Sequence, residues 1–144
     1  MTARALGINR VAMEVGDLEA AVAFYRSIFG LRERGRAPGM AFLDMGDQFL
    51  ALSQGRGDEA RSSRHFGLVV DDKDAVREAL QAAGVEISPP PHLDFRDAWG
   101  NFVQVVDYRD VQFTKAPEVL RGMGLEGLRK HDRAIEELRA KGLA

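Results

Sequence analysis

The sequence predicts an α+β fold: two copies of one supersecondary unit enclose a cleft, and a further helix is appended at the C-terminus. The first observation behind this is a pattern written twice. Arg10-Val-Ala-Met-Glu-Val-Gly-Asp17 opens a helical stretch closed by Gly30, and His65-Phe-Gly-Leu-Val-Val-Asp-Asp72 opens another closed by Gly84. The second is that each helical stretch leads into short strand-like runs broken by turn residues. The third is a change of rule after residue 114, where the strand pattern gives way to an amphipathic helix. Two packed copies of a unit create a cleft between them, which is where a site would sit.

In the first copy, residues 8–15 alternate. Val11, Met13 and Val15 share one face, and Arg10, Ala12 and Glu14 the other. Asp17 is placed to cap a helix whose apolar positions Leu18, Ala21, Val22, Tyr25, Ile28 and Phe29 recur at helical spacing, with Phe24 also packing. A turn falls at Gly35–Gly39, and strands near Ala41–Met45 and Phe49–Ser53 are joined by a Gly46-Asp47 hairpin signal. Residues 54–63 form a polar linker.

The second copy repeats the order: strand His65–Val70, helix Asp72–Ala83 with Ala75, Val76, Ala79 and Leu80 inward, and closing strand Phe102–Val106 after a turn at Trp99-Gly100-Asn101. Pro89–Pro91 interrupts both helix and central strand, leaving His92 and Asp94 in an expected solvated loop. Pro117 can start a short helix that Gly122, Gly124 and Gly127 interrupt. A cleaner one is expected from about Glu126 to Lys141, with Leu128, His131, Ile135 and Leu138 on one stripe and His131 structural.

Composition bounds the function. A hydrophobic fraction of 45% with 29% charged residues is that of an ordinary globular domain. A net charge of −2 with scattered arginines gives no footprint for nucleic acid. The chain has no cysteine, hence no disulfide, thiolate ligand or thiol nucleophile. No apolar run is long enough for a bilayer, and the N-terminus lacks the apolar core of a signal peptide, so a cytoplasmic protein with no membrane partner is expected. No phosphate loop or serine elbow occurs; Gln54-Gly-Arg-Gly57 has the wrong spacing.

Val11-Ala-Met-Glu-Val-Gly-Asp-Leu18, Phe24-Tyr25, Phe29-Gly30-Leu31, the His65–Asp72 run, Ala83-Gly84-Val85 and Asp97-Ala-Trp-Gly-Asn101 fall in an order that resembles the vicinal oxygen chelate superfamily. That superfamily includes glyoxalase I, bleomycin-resistance proteins, fosfomycin-resistance enzymes and extradiol dioxygenases. Ala98 and Trp99 depart from the usual Asp-Pro-Asp-Gly-Asn turn. The resemblance covers residues 8–108. It implies two βαβββ units (about 8–54 and 64–108) forming a curved mixed sheet around a pocket, within a domain of residues 1–114 followed by a helical extension of 115–144. It also implies a small-molecule ligand, a homodimer and, in enzymatic members, a divalent metal held by His, Glu or Gln from the first and last strand of each unit.

Carried onto this chain, the four metal positions are Arg10, Ala51, His65 and Gln104. Strand periodicity agrees, since Val11/Met13, Leu50/Leu52, Phe66/Leu68 and Val103/Val105 form the more apolar, helix-facing side. His65 is a good ligand and Gln104 a weak one, whereas alanine cannot coordinate and a fixed cation repels a divalent ion. Ligand count therefore argues against a bound metal cofactor; if one is held, His65 and Gln104 are its donors. Arg10 is expected to select an anionic ligand, with Glu14 in the same pocket or paired with it. His65 serves as hydrogen-bonding group or general base, or is a partly buried histidine satisfied by a backbone carbonyl or Gln104. Gln104 orients polar groups, and Phe42, Phe49, Trp99 and Phe102 supply apolar contact, the alternatives being plain core for the phenylalanines and packing on Pro89–Pro91 for Trp99.

The leading reading is a small-molecule-binding protein with a degenerate metal site. One alternative is a metal-dependent lyase, transferase or dioxygenase using His65 and Gln104. The other is an interaction module working through the C-terminal helix.

Overall fold

The computed structural model describes residues 2–29, 31–55, 65–96 and 102–144. The first unit runs β1 (Ala5–Val15), α1 (Leu18–Phe29), β2 (Arg32–Ala37), β3 (Met40–Asp44) and β4 (Phe49–Gln54). The second runs β5 (His65–Val70), α2 (Lys73–Ala82), β6 (Asp94–Arg96) and β7 (Phe102–Asp107), followed by α3 (Pro117–Gly122) and α4 (Asp132–Ala140). All seven strands join one mixed sheet in the order β2-β3-β4-β1-β5-β7-β6. β1 is parallel to β4, β5 is parallel to β7, and the units meet through the antiparallel β1–β5 pair. The two copies thus pair within one chain.

Both helices start where an aspartate caps them. Asp17 Oδ1 accepts from the Ala20 N–H at 3.0 Å, and Asp72 Oδ1 accepts from the Ala75 N–H at 3.0 Å. Gly84, at φ +72°, ends α2, while Gly30 lies outside the described residues. So do the side chains of Phe24, Ile28 and Phe29, most of the 54–63 linker, and the turn that contains Trp99.

The helices cover the outer face of the sheet. Val22 of α1 packs on Ala41, Leu43 and Leu52, with Met13 and Leu50 beside them. Val76 and Leu80 of α2 pack on Val70, Val103 and Val105. Each fully buried leucine contributes roughly 1.5–3 kcal/mol of transfer free energy. The remaining alternate residues, including Phe42, Phe49, Ala51, His65, Phe102 and Gln104, belong to the inner face.

Four expectations are corrected. The turn expected over Gly35–Gly39 is confined to Pro38-Gly39, and Arg32–Ala37, too polar to show alternation, is an edge strand leading into it. The strand that the βαβββ pattern of the resemblance implies after α2 is a single bridge, Ile87 to Phe95, because the following prolines lack N–H donors. Asp94 is no solvated loop residue but the first residue of β6. The last helix begins at Asp132, with His131 as its N-cap residue; Leu128 precedes it and joins the core.

The C-terminal segment folds back onto its own sheet. Phe113, Leu120 and Leu128 pack against Leu6, Val69 and Val106 at one end of the inner face. Gly7 makes room: a Cβ there would lie 2.4 Å from Phe113 Cζ. Lys141 of the segment then reaches the other unit, donating to Asp44 Oδ1 at 2.7 Å. The tail closes one end of the cleft.

Candidate functional site

β1 pairs regularly with β4, from Arg10↔Phe49 to Val15↔Gln54. Against β5 it does not. Ile8 pairs with Leu68 and Val11 with Phe66, so Asn9 and Arg10 together oppose Gly67. This bulge brings two consecutive polar side chains over one glycine on the inner face. A Cβ on Gly67 would lie 2.3 Å from Asn9 Oδ1 and 2.9 Å from Arg10 Nη1, so the missing side chain is what lets them settle there.

Arg10 is only 9% exposed, yet its guanidinium makes no hydrogen bond or ion pair with the described residues. Its contact is the Phe49 ring, 5.8 Å from Cζ to centroid. Burial lowers its pKa; Asp94 opposes that shift, and the nearby Arg34 adds to it. The group remains a cation, held out of bulk water, its donors unmatched among the described residues. Two buried acceptors also lack partners at this level of the fold: Asn9 Oδ1 and Asp94 Oδ1. Unsatisfied buried groups each cost about 1–3 kcal/mol, so natural structures keep few of them.

Aromatic rings flank this centre on both sides. In the first unit Phe42 meets Phe49 edge-on at 5.7 Å, and Arg34 lies over Phe49 at 4.5 Å. In the second, His65 meets Phe102 edge-on at 5.7 Å, and Arg96 lies over Phe102 at 5.0 Å. The arrangement follows the repeat: Arg10 pairs with Phe49 as His65 pairs with Phe102. Gln104 pairs with Gly67 on one side and Asp94 on the other, at the level of Arg10.

The structure thus brings together Arg10, Phe42, Phe49, His65, Phe102 and Gln104. Glu14 shares the inner face but lies at the far end of β1, its carboxyl against Gly55, and Arg10 has Asp94 as its acidic neighbour instead. Trp99 falls outside the described residues. Sequence reasoning missed Asn9, Arg34 and Arg96, and it set Asp94 in a solvated loop from which it could at most gate the pocket. The bulge hid Asn9, and the strands carrying the other three lack an apolar rhythm.

Of the four implied metal positions, two carry no donor for a metal. Ala51 has no donor atom, and the Arg10 guanidinium puts a positive charge where a ligand is wanted. Only His65 and Gln104 remain, below the three protein ligands that a catalytic zinc site uses. Among the described residues no group of three or more His, Cys, Asp or Glu is placed to hold a metal ion.

Comparison with known proteins agrees with this architecture. A family model described as the Glyoxalase/Bleomycin resistance protein/Dioxygenase superfamily matches residues 7–110. A trivalent organoarsenical cleaving enzyme of Thermomonospora curvata is 33% identical over 74 residues, which is 50% of this chain and 49% of that protein. The chain therefore matches only about half the length of that relative. A Mn(II)-bound glyoxalase from Novosphingobium aromaticivorans superposes with a TM-score of 0.60 at 24% identity, over 73% of this chain and 40% of that one. A Streptomyces coelicolor methylmalonyl-CoA epimerase in complex with 2-nitronate-propionyl-CoA does so at 0.55 and 19%, over 72% and 98%. At these identities the two structures share the fold.

Proposed function

The chain belongs to the Glyoxalase/Bleomycin resistance protein/Dioxygenase superfamily, and from that premise we propose that it binds a small organic anion in the cleft between its two units without a divalent metal. One observation carries the reading: a guanidinium nine-tenths buried, with no acceptor among the described residues, on the inner face between two aromatic clusters. Arg10 takes the carboxylate, phosphate or other anionic group. His65 and Gln104 orient further polar groups, and Phe42, Phe49 and Phe102 give apolar contact. Asn9 and Asp94 offer acceptors to donor groups on the same ligand.

Members of the superfamily include a Mn(II)-bound glyoxalase, and here the donor set departs from a metal-holding one. The activity of the organoarsenical-cleaving relative is not carried over, since trivalent arsenic seeks thiolates and this chain has no cysteine. Ile8 and Val11, 46% and 50% exposed on the outer face at the seam between the units, offer a surface for the homodimer that the resemblance implies.

A thermal-shift panel tests the reading. It holds small carboxylates and phosphates, aromatic antibiotics and glutathione adducts, each with and without divalent metals. An anionic hit that needs no metal and is lost in Arg10→Ala is expected. Metal analysis of the purified protein is the counter-test. Stoichiometric Ni, Zn, Mn or Fe that disappears in His65→Ala would overturn the metal-free reading and favour a metal-dependent lyase, transferase or dioxygenase.

A further inference from the structure

The C-terminal segment contains a second cavity, apart from the cleft. It has a volume of about 450 Å³ and lies among Tyr108, α3, α4 and the loop between them. That size falls within the roughly 300–1,000 Å³ of small-molecule pockets. Its wall is apolar, formed by Leu120, Leu128, Ile135 and Leu138 beside the Tyr108 ring. The superfamily match ends at residue 110, so this cavity is built almost entirely from sequence outside the shared part.

Cationic side chains outnumber anionic ones in the cavity lining: Lys115, Arg121, Arg129 and Lys130 against Glu126, with Leu143 and Ala144 also lining it. Neither Lys115 nor Arg121 has a carboxylate partner among the described residues. Lys130 is held inward: its Nζ donates to the carbonyls of Tyr108, Val111 and Phe113 at 2.8, 2.6 and 2.6 Å, and sits 3.7 Å from the Tyr108 ring centroid. All three of its protons go to neutral acceptors. Asp47, Asp107 and Asp110 are its more distant acidic neighbours, and no carboxylate is in contact with it among the described residues. A half-buried ammonium therefore stands at the wall of an apolar cavity whose rim is also cationic.

We propose that this cavity binds an amphipathic monocarboxylate, its alkyl chain among the leucines and its head at Lys115 and Arg121. The alkyl chain gains from apolar burial, the head from charge-assisted hydrogen bonds, and the charge of Lys130 from an anion nearby. A cationic or neutral molecule of the same chain length gains the first of these alone.

The test is calorimetric titration of the full chain with decanoate, decanol and decylamine, each below its aggregation concentration. Decanoate is expected to bind saturably, with decanol and decylamine at least about tenfold weaker. Lys115→Glu with Arg121→Glu should weaken decanoate about tenfold or more, and Ile135→Trp should fill the cavity and abolish binding. If Ile135→Trp does not fold, the charge-reversal variant, made at partly exposed rim positions, carries the test alone. Equal affinity for decanol, absence of saturable binding, or decanoate binding lost in Arg10→Ala would each overturn the proposal. So would a dimer in sedimentation whose formation excludes decanoate, since a second copy would then occupy the groove. A failure here leaves the cleft reading untouched, because that reading is scored on Arg10.

Discussion

Replacing Arg10 by methionine should stabilise the ligand-free protein while removing its anion binding. Arg10 is 9% exposed and makes no hydrogen bond or ion pair with the described residues, so folding strips water from a cation and returns little. What it does gain is a distant contact with Phe49 at 5.8 Å, worth about 0.5–1 kcal/mol at most. Swapping buried ionic groups for apolar ones of similar size is often neutral or stabilising, by about 1–4 kcal/mol. Methionine keeps the length of the buried stem and adapts to irregular space. Subtracting the lost cation–π contact leaves a net gain of up to about 3.5 kcal/mol. For a chain of 144 residues that raises the melting temperature by up to roughly 12 °C.

The same change should cost the cleft's anionic hit about 2–4 kcal/mol, or roughly 30- to 1,000-fold in Kd, since charge-assisted hydrogen bonds are lost. Arg10→Lys keeps the charge but not the planar fork and should fall between the two. Scanning calorimetry and titration on the same preparations read both quantities. A methionine variant that melts below the wild type, or that binds the anion with unchanged Kd, would refute the reasoning.

Gly67→Ala should destabilise by about 1–3 kcal/mol through overpacking, because the new Cβ would meet Asn9 Oδ1 at 2.3 Å. Adding Asn9→Ala should recover part of that loss in a double-mutant cycle of urea midpoints, and strict additivity would argue against the contact. Burial lowers the Lys130 pKa from 10.5 to about 8, so between those values the unfolded chain binds the extra proton. Stability should therefore rise with pH relative to Lys130→Met across about pH 8 to 10.5, and a flat difference would contradict it. Arg10→His with Ala51→Glu restores a four-donor set with His65 and Gln104. After dialysis against Mn or Ni it should retain about one equivalent of metal, and emission spectrometry finding none would mean that these positions do not converge.

The faces of the strands were legible in the sequence wherever pairing is regular. Phe42, Phe49, His65, Phe102 and Gln104 sit on the inner face because strict alternation holds along β3, β4, β5 and β7. β1 breaks that rule twice, since register shifts fall between Ala5 and Gly7 and between Ile8 and Val11. Alternation alone puts Asn9 on the face opposite Arg10, and no local residue announces a bulge. The clue lies on the other strand, in Gly67, whose meaning appears only once the partners are known. Asp94 and Arg96 were hidden differently: the prolines before them signal a loop, yet three residues suffice to pair with β7. The start of α4 was missed because Leu128 and His131 keep a helical rhythm without being helical. The backbone at His131 is extended, and its N–H bonds the Arg109 carbonyl instead.

The bulge also explains why a cation is tolerated at this position. A regular β1–β5 pair would put one side chain opposite Gly67. The extra residue places Asn9 and Arg10 there together, and Gly67 removes the atom that would collide with both. The guanidinium is thereby set by backbone geometry and a neighbouring void, not by hydrogen bonds of its own. An arginine anchored by a carboxylate is already neutralised and discriminates weakly among ligands. One anchored by shape keeps its donors open, so an entering anion meets a charge whose desolvation cost the folded chain has already met.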